Sequence, residues 1–180
     1  MKFISVEIEG LRIIEPRVFE DDRGYFYESY NKDEFENNGI DDFFVQDNQS
    51  LSQKNVLRGL HFQKPPFSQA KLIRVIQGSV LDIAIDLRKK SDTYGQYYSI
   101  ELSATNKKMF YIPEGFAHGF LTLEDDTIFS YKCSNFYNAA SEDAILWNDK
   151  DLNIKWGVEK PLLSEKDKQA KEFNEYITPF

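Results

Sequence analysis

The sequence has a single cysteine, Cys133, among its 180 residues. No intrachain disulfide can form, and no thiolate metal cluster can be assembled within one chain. Histidine is nearly as scarce, with only His61 and His118, so any histidine-dependent chemistry must use one or both. No apolar run approaches the roughly 18 residues needed to span a bilayer. The opening stretch Met1–Glu7 carries an acid too early for the apolar core of a signal peptide. Positive charge is in deficit, with 22 Lys and Arg against 30 Asp and Glu and a net charge of −8. That balance excludes the basic face selected by nucleic-acid phosphates and argues against an anionic membrane surface. It leaves room for a small anionic ligand held by a few local Arg and Lys. The sequence lacks internal repeats, low-complexity tracts and linker-like Gly/Ser/Pro stretches, and no Gly-x-Gly-x-x-Gly points to a dinucleotide cofactor. The expectation is one cytoplasmic domain over residues 1–180.

Aromatic residues are plentiful, at 15% of the chain with 15 Phe and 10 Tyr, and such residues favour strands. Strand character is expected over Gly24–Tyr30, Phe43–Asp47, Asn55–Phe62, Lys71–Gln77, Ser79–Leu87, Gln96–Ser103, Lys108–Ile112, Ala117–Leu123 and Thr127–Lys132. Gly78 and the run Glu124-Asp125-Asp126 read as hairpin turns. Many short strands at this spacing predict a mainly β sandwich or barrel. Asn31 caps an expected short helix over Lys32–Asn38, closed by Gly39. Ser164 followed by Asp167 matches a capping box, so Glu165–Tyr176 reads as a C-terminal surface helix.

The two histidines sit in informative strings. His118 closes Pro113-Glu114-Gly115-Phe116-Ala117-His118, which matches Pro-x-Gly-x-x-His, the second signature of the cupin superfamily of jelly-roll barrels. His61 occupies the first ligand position of the other cupin signature. Gln63 stands at the second His position and Lys71 at the Glu position, counted back from Gly78. A protonated lysine offers no lone pair and repels a cation, so the resemblance is to a cupin without its metal site, and no metal is expected. On a regular strand His61 shares a face with Gly59 and Gln63, while Arg58, Leu60 and Phe62 face the other way. Arg58, His61, Gln63 and Lys71 form a polar group that an apolar interior does not accept without partners.

Further strings carry a closer resemblance. They are Phe19–Glu28, Val45–Asn48, Val56–Gln63, Gln69–Leu72, Asp82–Arg88, Ile112–Phe120, Tyr131–Cys133, Phe136-Tyr137, Trp147–Asp149 and Leu163–Asp167. Taken in order, they make the chain similar to the dTDP-4-dehydrorhamnose 3,5-epimerase family of cupins. The resemblance implies proton abstraction from C3 and C5 of a 4-keto-6-deoxyhexose carried on dTDP, through an enolate and without a cofactor. It implies His61 as the base, Lys71 as the enolate stabiliser and Tyr131 as the acid on the opposite face. A carboxylate should orient His61, and the resemblance points to Asp167, with Asp82 as the alternative. It further implies pyrophosphate contacts from Arg23, Arg58 and Lys166. Base and sugar contacts are implied from Glu28, Gln46, Asp47, Asn48, Gln63, Tyr137, Glu142 and His118. In this family the early strand with Arg23 and Glu28 reaches the neighbouring subunit's site, which implies a homodimer. Relatives that epimerise only one carbon share these residues, and a sugar-nucleotide-binding cupin without catalysis is the other alternative.

Overall fold

A computed structural model describes residues 1–180. Its strands are β1 Lys2–Ser5, β2 Arg12–Glu15, β3 Phe19–Asp21, β4 Gly24–Phe26, β5 Gln46–Ser52, β6 Leu57–Gln63, β7 Lys71–Gln77, β8 Ser79–Asp86, β9 Tyr97–Ser103, β10 Met109–Ile112, β11 Phe116–Thr122, β12 Thr127–Cys133 and β13 Glu142–Ala144. The helices are α1 Lys32–Glu36 and α2 Glu165–Lys168, with a 3₁₀ turn at Phe173–Glu175. A six-stranded sheet runs β1-β2-β10-β7-β12-β5, a five-stranded sheet runs β13-β6-β11-β8-β9, and β3 pairs with β4 alone. This is the expected antiparallel β sandwich. No helix is long and apolar enough to cross a membrane.

The period-two alternation of strands divides the apolar residues into three cores. Between the two sheets lie Ile13, Ile73, Val75 and Phe129 from one and Val80, Ala84, Phe116 and Phe120 from the other. The next residues along the same strands face outward. Ile83, Ile85, Ala117 and Leu121 pack beneath Ile145, Leu152 and Trp156. On the far side, Ile14, Leu72 and Met109 are covered by Phe35 of α1. Asn31 caps that helix as expected, its Oδ1 accepting from the Glu34 N–H at 3.3 Å.

The two expected hairpin turns are corners between sheets. β7 belongs to the six-stranded sheet and β8 to the five-stranded one, with Gly78 alone between them. Gly78 has φ +75°, and a Cβ there would lie 2.2 Å from Thr127 Oγ1. The run Glu124–Asp126 likewise carries the chain from β11 to β12 in the opposite sheet. Both strands at each corner have an apolar face, so the hydrophobic pattern shows the turn but not the change of layer.

Other boundaries differ too. The strand expected over Gly24–Tyr30 stops at Phe26, and the one expected over Phe43–Asp47 instead starts at Gln46 and runs to Ser52. The C-terminal helix is a single turn. Beyond it the backbone is drawn into tertiary bonds, Leu146 N–H to Lys171 O at 2.8 Å and Phe173 N–H to Asp149 Oδ2 at 2.7 Å, which a continuous helix could not supply.

Candidate active site

The polar group read from the sequence gathers in the interior between the sheets. On β7 the inward positions include Lys71 and Ile73, on β12 Phe129, Tyr131 and Cys133, and on β11 Phe116, His118 and Phe120. On β8 the inward row is Val80, Asp82 and Ala84. At one end of the interior these rows enclose a cavity of about 350 Å³, lined among others by Asn48, Ser50, Arg58, His61, Lys71, His118, Tyr131, Lys166 and Asp167. A smaller cavity of about 120 Å³ shares Asn48, His61, Lys71 and Tyr131 and adds Gln46, Gln63, Tyr137 and Glu142.

One expectation about facing is corrected. Arg58 lies on the same side as His61, because β6 carries an extra residue. His118 pairs with His61 and Phe120 with Arg58, so two steps on β11 match three on β6. Such a bulge inverts the alternation beyond it. Leu57, Leu60 and Phe62 consequently all join the outer core, and Arg58 turns inward to donate its Nε–H to Ser52 Oγ at 3.3 Å. Gly59 makes the bulge possible. It has φ +141°, and a Cβ would sit 2.5 Å from the Gly119 Cα.

Each histidine has its own carboxylate. His61 Nε2 lies 2.5 Å from Asp167 Oδ1, and His118 Nε2 lies 3.1 and 3.0 Å from the two oxygens of Asp82. Asp167 reaches His61 because Ser164 holds the start of α2, its Oγ accepting from the Asp167 N–H at 3.1 Å. Burial by itself raises the Asp167 carboxyl. The hydrogen bond and charge of His61, with help from Ser164 and Lys166, outweigh it and hold the group below the ordinary carboxylate range. Burial pushes His118 down, toward neutral imidazole, against the pull of Asp82. The same desolvation lowers the Lys71 ammonium, offset in part by Cys133, Asp82 and Glu142, and raises the Tyr131 phenol. The Lys71 nitrogen stands 5.7 Å from the Tyr131 ring centre.

At the rim, Glu142 Oε2 accepts from Tyr137 OH at 2.8 Å and meets Lys166 Nζ at 2.5 Å. Gln46 accepts the Tyr137 N–H at 3.0 Å and donates to Asn48 Oδ1 at 3.0 Å. Gln63 lines the smaller cavity, but its amide serves the backbone, donating to Phe67 O at 2.6 Å and accepting from Asn138 N–H at 2.7 Å. Asp47 faces the other side of β5, where it pairs with Lys132 at 2.9 Å. Arg23 and Glu28 lie outside the cavity. Arg23 is 90% exposed in the β3–β4 turn and pairs with Asp21, while Glu28 accepts from Asn31 Nδ2 at 3.2 Å. Residues not anticipated from sequence are Gln49, Ser50, Phe120, Phe129 and Ser164 in the cavity wall. The phenylalanines stack at 3.9 Å between centroids and read in the sequence as ordinary core.

A jelly roll with two imidazole–carboxylate pairs, a desolvated lysine and a tyrosine turned into one interior defines a cupin equipped for acid–base chemistry on a polar ligand. Comparison with known proteins narrows the class. The family model described as dTDP-4-dehydrorhamnose 3,5-epimerase matches residues 5–175. The Shigella flexneri protein of that name is 51% identical over 174 residues, covering 96% of each chain. A Bacillus anthracis dTDP-4-dehydrorhamnose 3,5-epimerase solved with TDP and PPi bound is 47% identical with a TM-score of 0.94, covering 96% of this chain and 99% of that one. A Legionella pneumophila dTDP-6-deoxy-D-glucose-3,5-epimerase in complex with dTDP-4-keto-L-rhamnose is also 47% identical, with a TM-score of 0.93, covering 96% of this chain and 93% of that one. The chain therefore belongs to the dTDP-4-dehydrorhamnose 3,5-epimerase family, and its activity is that isomerisation, in dTDP-L-rhamnose biosynthesis.

Proposed function

We propose that the chain inverts C3 and C5 of dTDP-4-dehydro-6-deoxy-D-glucose, giving dTDP-4-dehydro-L-rhamnose, with His61 as base and Tyr131 as acid. The observation that carries this reading is the 2.5 Å His61–Asp167 pair facing Lys71 and Tyr131 across one cavity. An ionised carboxylate only accepts, so Asp167 accepts a hydrogen bond from the His61 Nε2–H, which stays on the ring, and leaves the Nδ1 lone pair to abstract a proton from carbon. Both C3 and C5 are α to the C4 ketone, so loss of either proton places charge on O4. Lys71 supplies a cation there. In a water-poor site such a group contributes about 3–4 kcal/mol of barrier lowering, and the developing enolate returns to the ammonium the opposite charge that burial withholds. The phenol of Tyr131, raised by burial, holds its proton until the enolate takes it on the opposite face. A proton leaves carbon and a proton returns, so the reaction is redox-neutral.

Binding follows from the rim. Arg58 offers the pyrophosphate its fork and Lys166 a point charge, and the phosphates compete with Glu142 for Lys166. Gln46, Asn48 and Tyr137 suit the thymine and deoxyribose, Tyr137 by a stacking face, with Glu142 and His118 on the sugar side. Arg23 and Glu28 act in a partner's site. The β3–β4 ribbon pairs with no other strand and exposes Phe19, Tyr25 and Phe26 by 50%, 58% and 67%, an apolar surface suited to packing on a second copy. The proposed assembly is a homodimer with exchanged arms.

The test of the base is His61→Asn. The variant should bind dTDP as wild type does and exchange no C3 proton with solvent. Retained exchange would remove His61 from the chemistry, and wild type that binds but never exchanges would make the chain a binding module.

A further inference from the structure

The string Trp147–Asp149 is part of the family resemblance, yet its residues line neither of the cavities beside His61. Asp149 is nonetheless buried, at 4% exposure, and both of its carboxylate oxygens are engaged. Oδ1 accepts from the N–H groups of Asp151 and Leu152 at 2.9 and 3.0 Å, closing a local turn. Oδ2 reaches a distant part of the chain, just beyond α2, where it accepts from the Phe173 N–H at 2.7 Å.

Asp167 stands on a helix of one turn, too short to hold its own geometry. The strand that carries His61 holds the segment around it at both ends. Before α2, Leu162 donates to Asn55 O at 2.7 Å and accepts from the N–H of Leu57, the first residue of β6, at 2.9 Å. After α2, Lys171 O accepts from the Leu146 N–H at 2.8 Å. Ile145, next to Leu146, exchanges both backbone bonds with Leu60, the neighbour of His61, at 3.2 and 3.0 Å. Across residues 169–173, the Leu146–Lys171 bond and the Asp149 clasp on Phe173 are the backbone's bonds to the rest of the fold.

We propose that Asp149 is a positioning residue for the epimerisation. By holding the chain at Phe173 it fixes the exit of α2 and so keeps the Asp167 carboxylate on His61. The inference rests on the function proposed above, and Asp149 itself touches no reacting atom.

Asp149→Asn tests it. The amide oxygen can still close the local turn, but the amide nitrogen presents a donor to the Phe173 N–H. The variant should lower kcat about tenfold to a hundredfold, the scale of a displacement of about 1 Å at the reacting groups, while dTDP affinity stays within about threefold of wild type. Added to Asp167→Asn, it should lower kcat by less than about twofold more, because two changes acting through one contact do not add. Unchanged kcat would overturn the proposal. So would a full further loss in the double variant, or a loss of dTDP affinity as large as that of kcat, since either marks Asp149 as support for the fold at large. Should Asp149→Asn not fold, Phe173→Pro is compared with Phe173→Ala. Both remove the ring, and only proline removes the N–H. Glu172, at φ −66° and ψ 151°, already has the extended backbone that precedes proline, and Phe173 opens the 3₁₀ turn, a position that accepts it. A kcat about tenfold lower for proline than for alanine supports the clasp, and equal values overturn it. Wild type that exchanges neither the C3 nor the C5 proton would overturn the functional reading instead.

Discussion

Asp167 and Asp82 are the same residue type at similar depth, yet burial raises the Asp82 carboxyl while His61 holds Asp167 below the ordinary range. Asp82 lies on β8 in the interior, both oxygens on a histidine that burial keeps neutral. Asp167 enters from α2, bonded to the more exposed of the two histidines that line the larger cavity, His61 at 30% against 8% for His118. The sequence left open which carboxylate orients His61, because neither spacing nor residue type tells which side of the sandwich a distant segment covers. The geometry pairs Asp167 with His61. Replacing Asp167 with Asn should keep the packing while exchanging an acceptor-only carboxylate for a neutral amide that can also donate, so the tautomer is no longer fixed and kcat falls by about 10²–10⁴-fold. The same variant should alter acid stability. The folded-state pKa of Asp167 lies below the ordinary carboxylate range, near 4, so its contribution is present above about pH 4 and is lost as pH falls through the lower folded value. In urea melts the gap between wild type and Asp167→Asn should therefore be open at pH 7 and close below about pH 4. A gap that stays constant with pH would show that the pair adds no charge-dependent stability.

Strand β6 turns a local backbone feature into a site. Without the bulge at Gly59, Arg58 and His61 would point to opposite faces, as simple alternation predicts. With it, a guanidinium and an imidazole three residues apart share one cavity. A Cβ at Gly59 meets the Gly119 backbone at 2.5 Å and requires φ +141° of a residue that disfavours it. Gly59→Ala should cost about 2–4 kcal/mol of stability. In whatever fraction stays folded, dTDP affinity should fall, because Arg58 loses its face; denaturant melts and nucleotide titration read the two effects. Wild-type stability and affinity together would show that the bulge is not needed. Strands with one clear apolar face, such as β7 and β8, were legible from sequence to within a residue or so. Strand β5 was not, because Gln46–Ser52 is polar on both faces and its inward side meets a ligand cavity instead of a core. The sheet-switching corners and the one-turn α2 escaped for a related reason: tertiary partners, absent from any local pattern, decide them.

Across the whole molecule, a net charge of −8 coexists with a cavity rim that gathers Arg58, Lys71 and Lys166. The acidic balance of the whole chain is therefore compatible with a local cluster of cations suited to the proposed pyrophosphate. Arg23 is the proposed phosphate contact that this chain does not bring to its own cavity, and the unpaired β3–β4 ribbon accounts for that if it completes a second copy. Mixing inactive Arg23→Ala with inactive His61→Asn protomers should restore activity. In the mixed dimer, one of the sites combines the intact His61 of one chain with the intact Arg23 of the other. If exchange of subunits, verified by native mass spectrometry, restores nothing, the arm serves its own chain or no site at all.

The central claim is that one base and one acid act on two carbons flanking a single ketone. Running the reaction in D₂O and counting deuterium in the product by NMR tests it most directly. The account predicts one solvent deuteron at C3 and one at C5, with both centres inverted. Incorporation at one carbon alone, or inversion without incorporation, would contradict it.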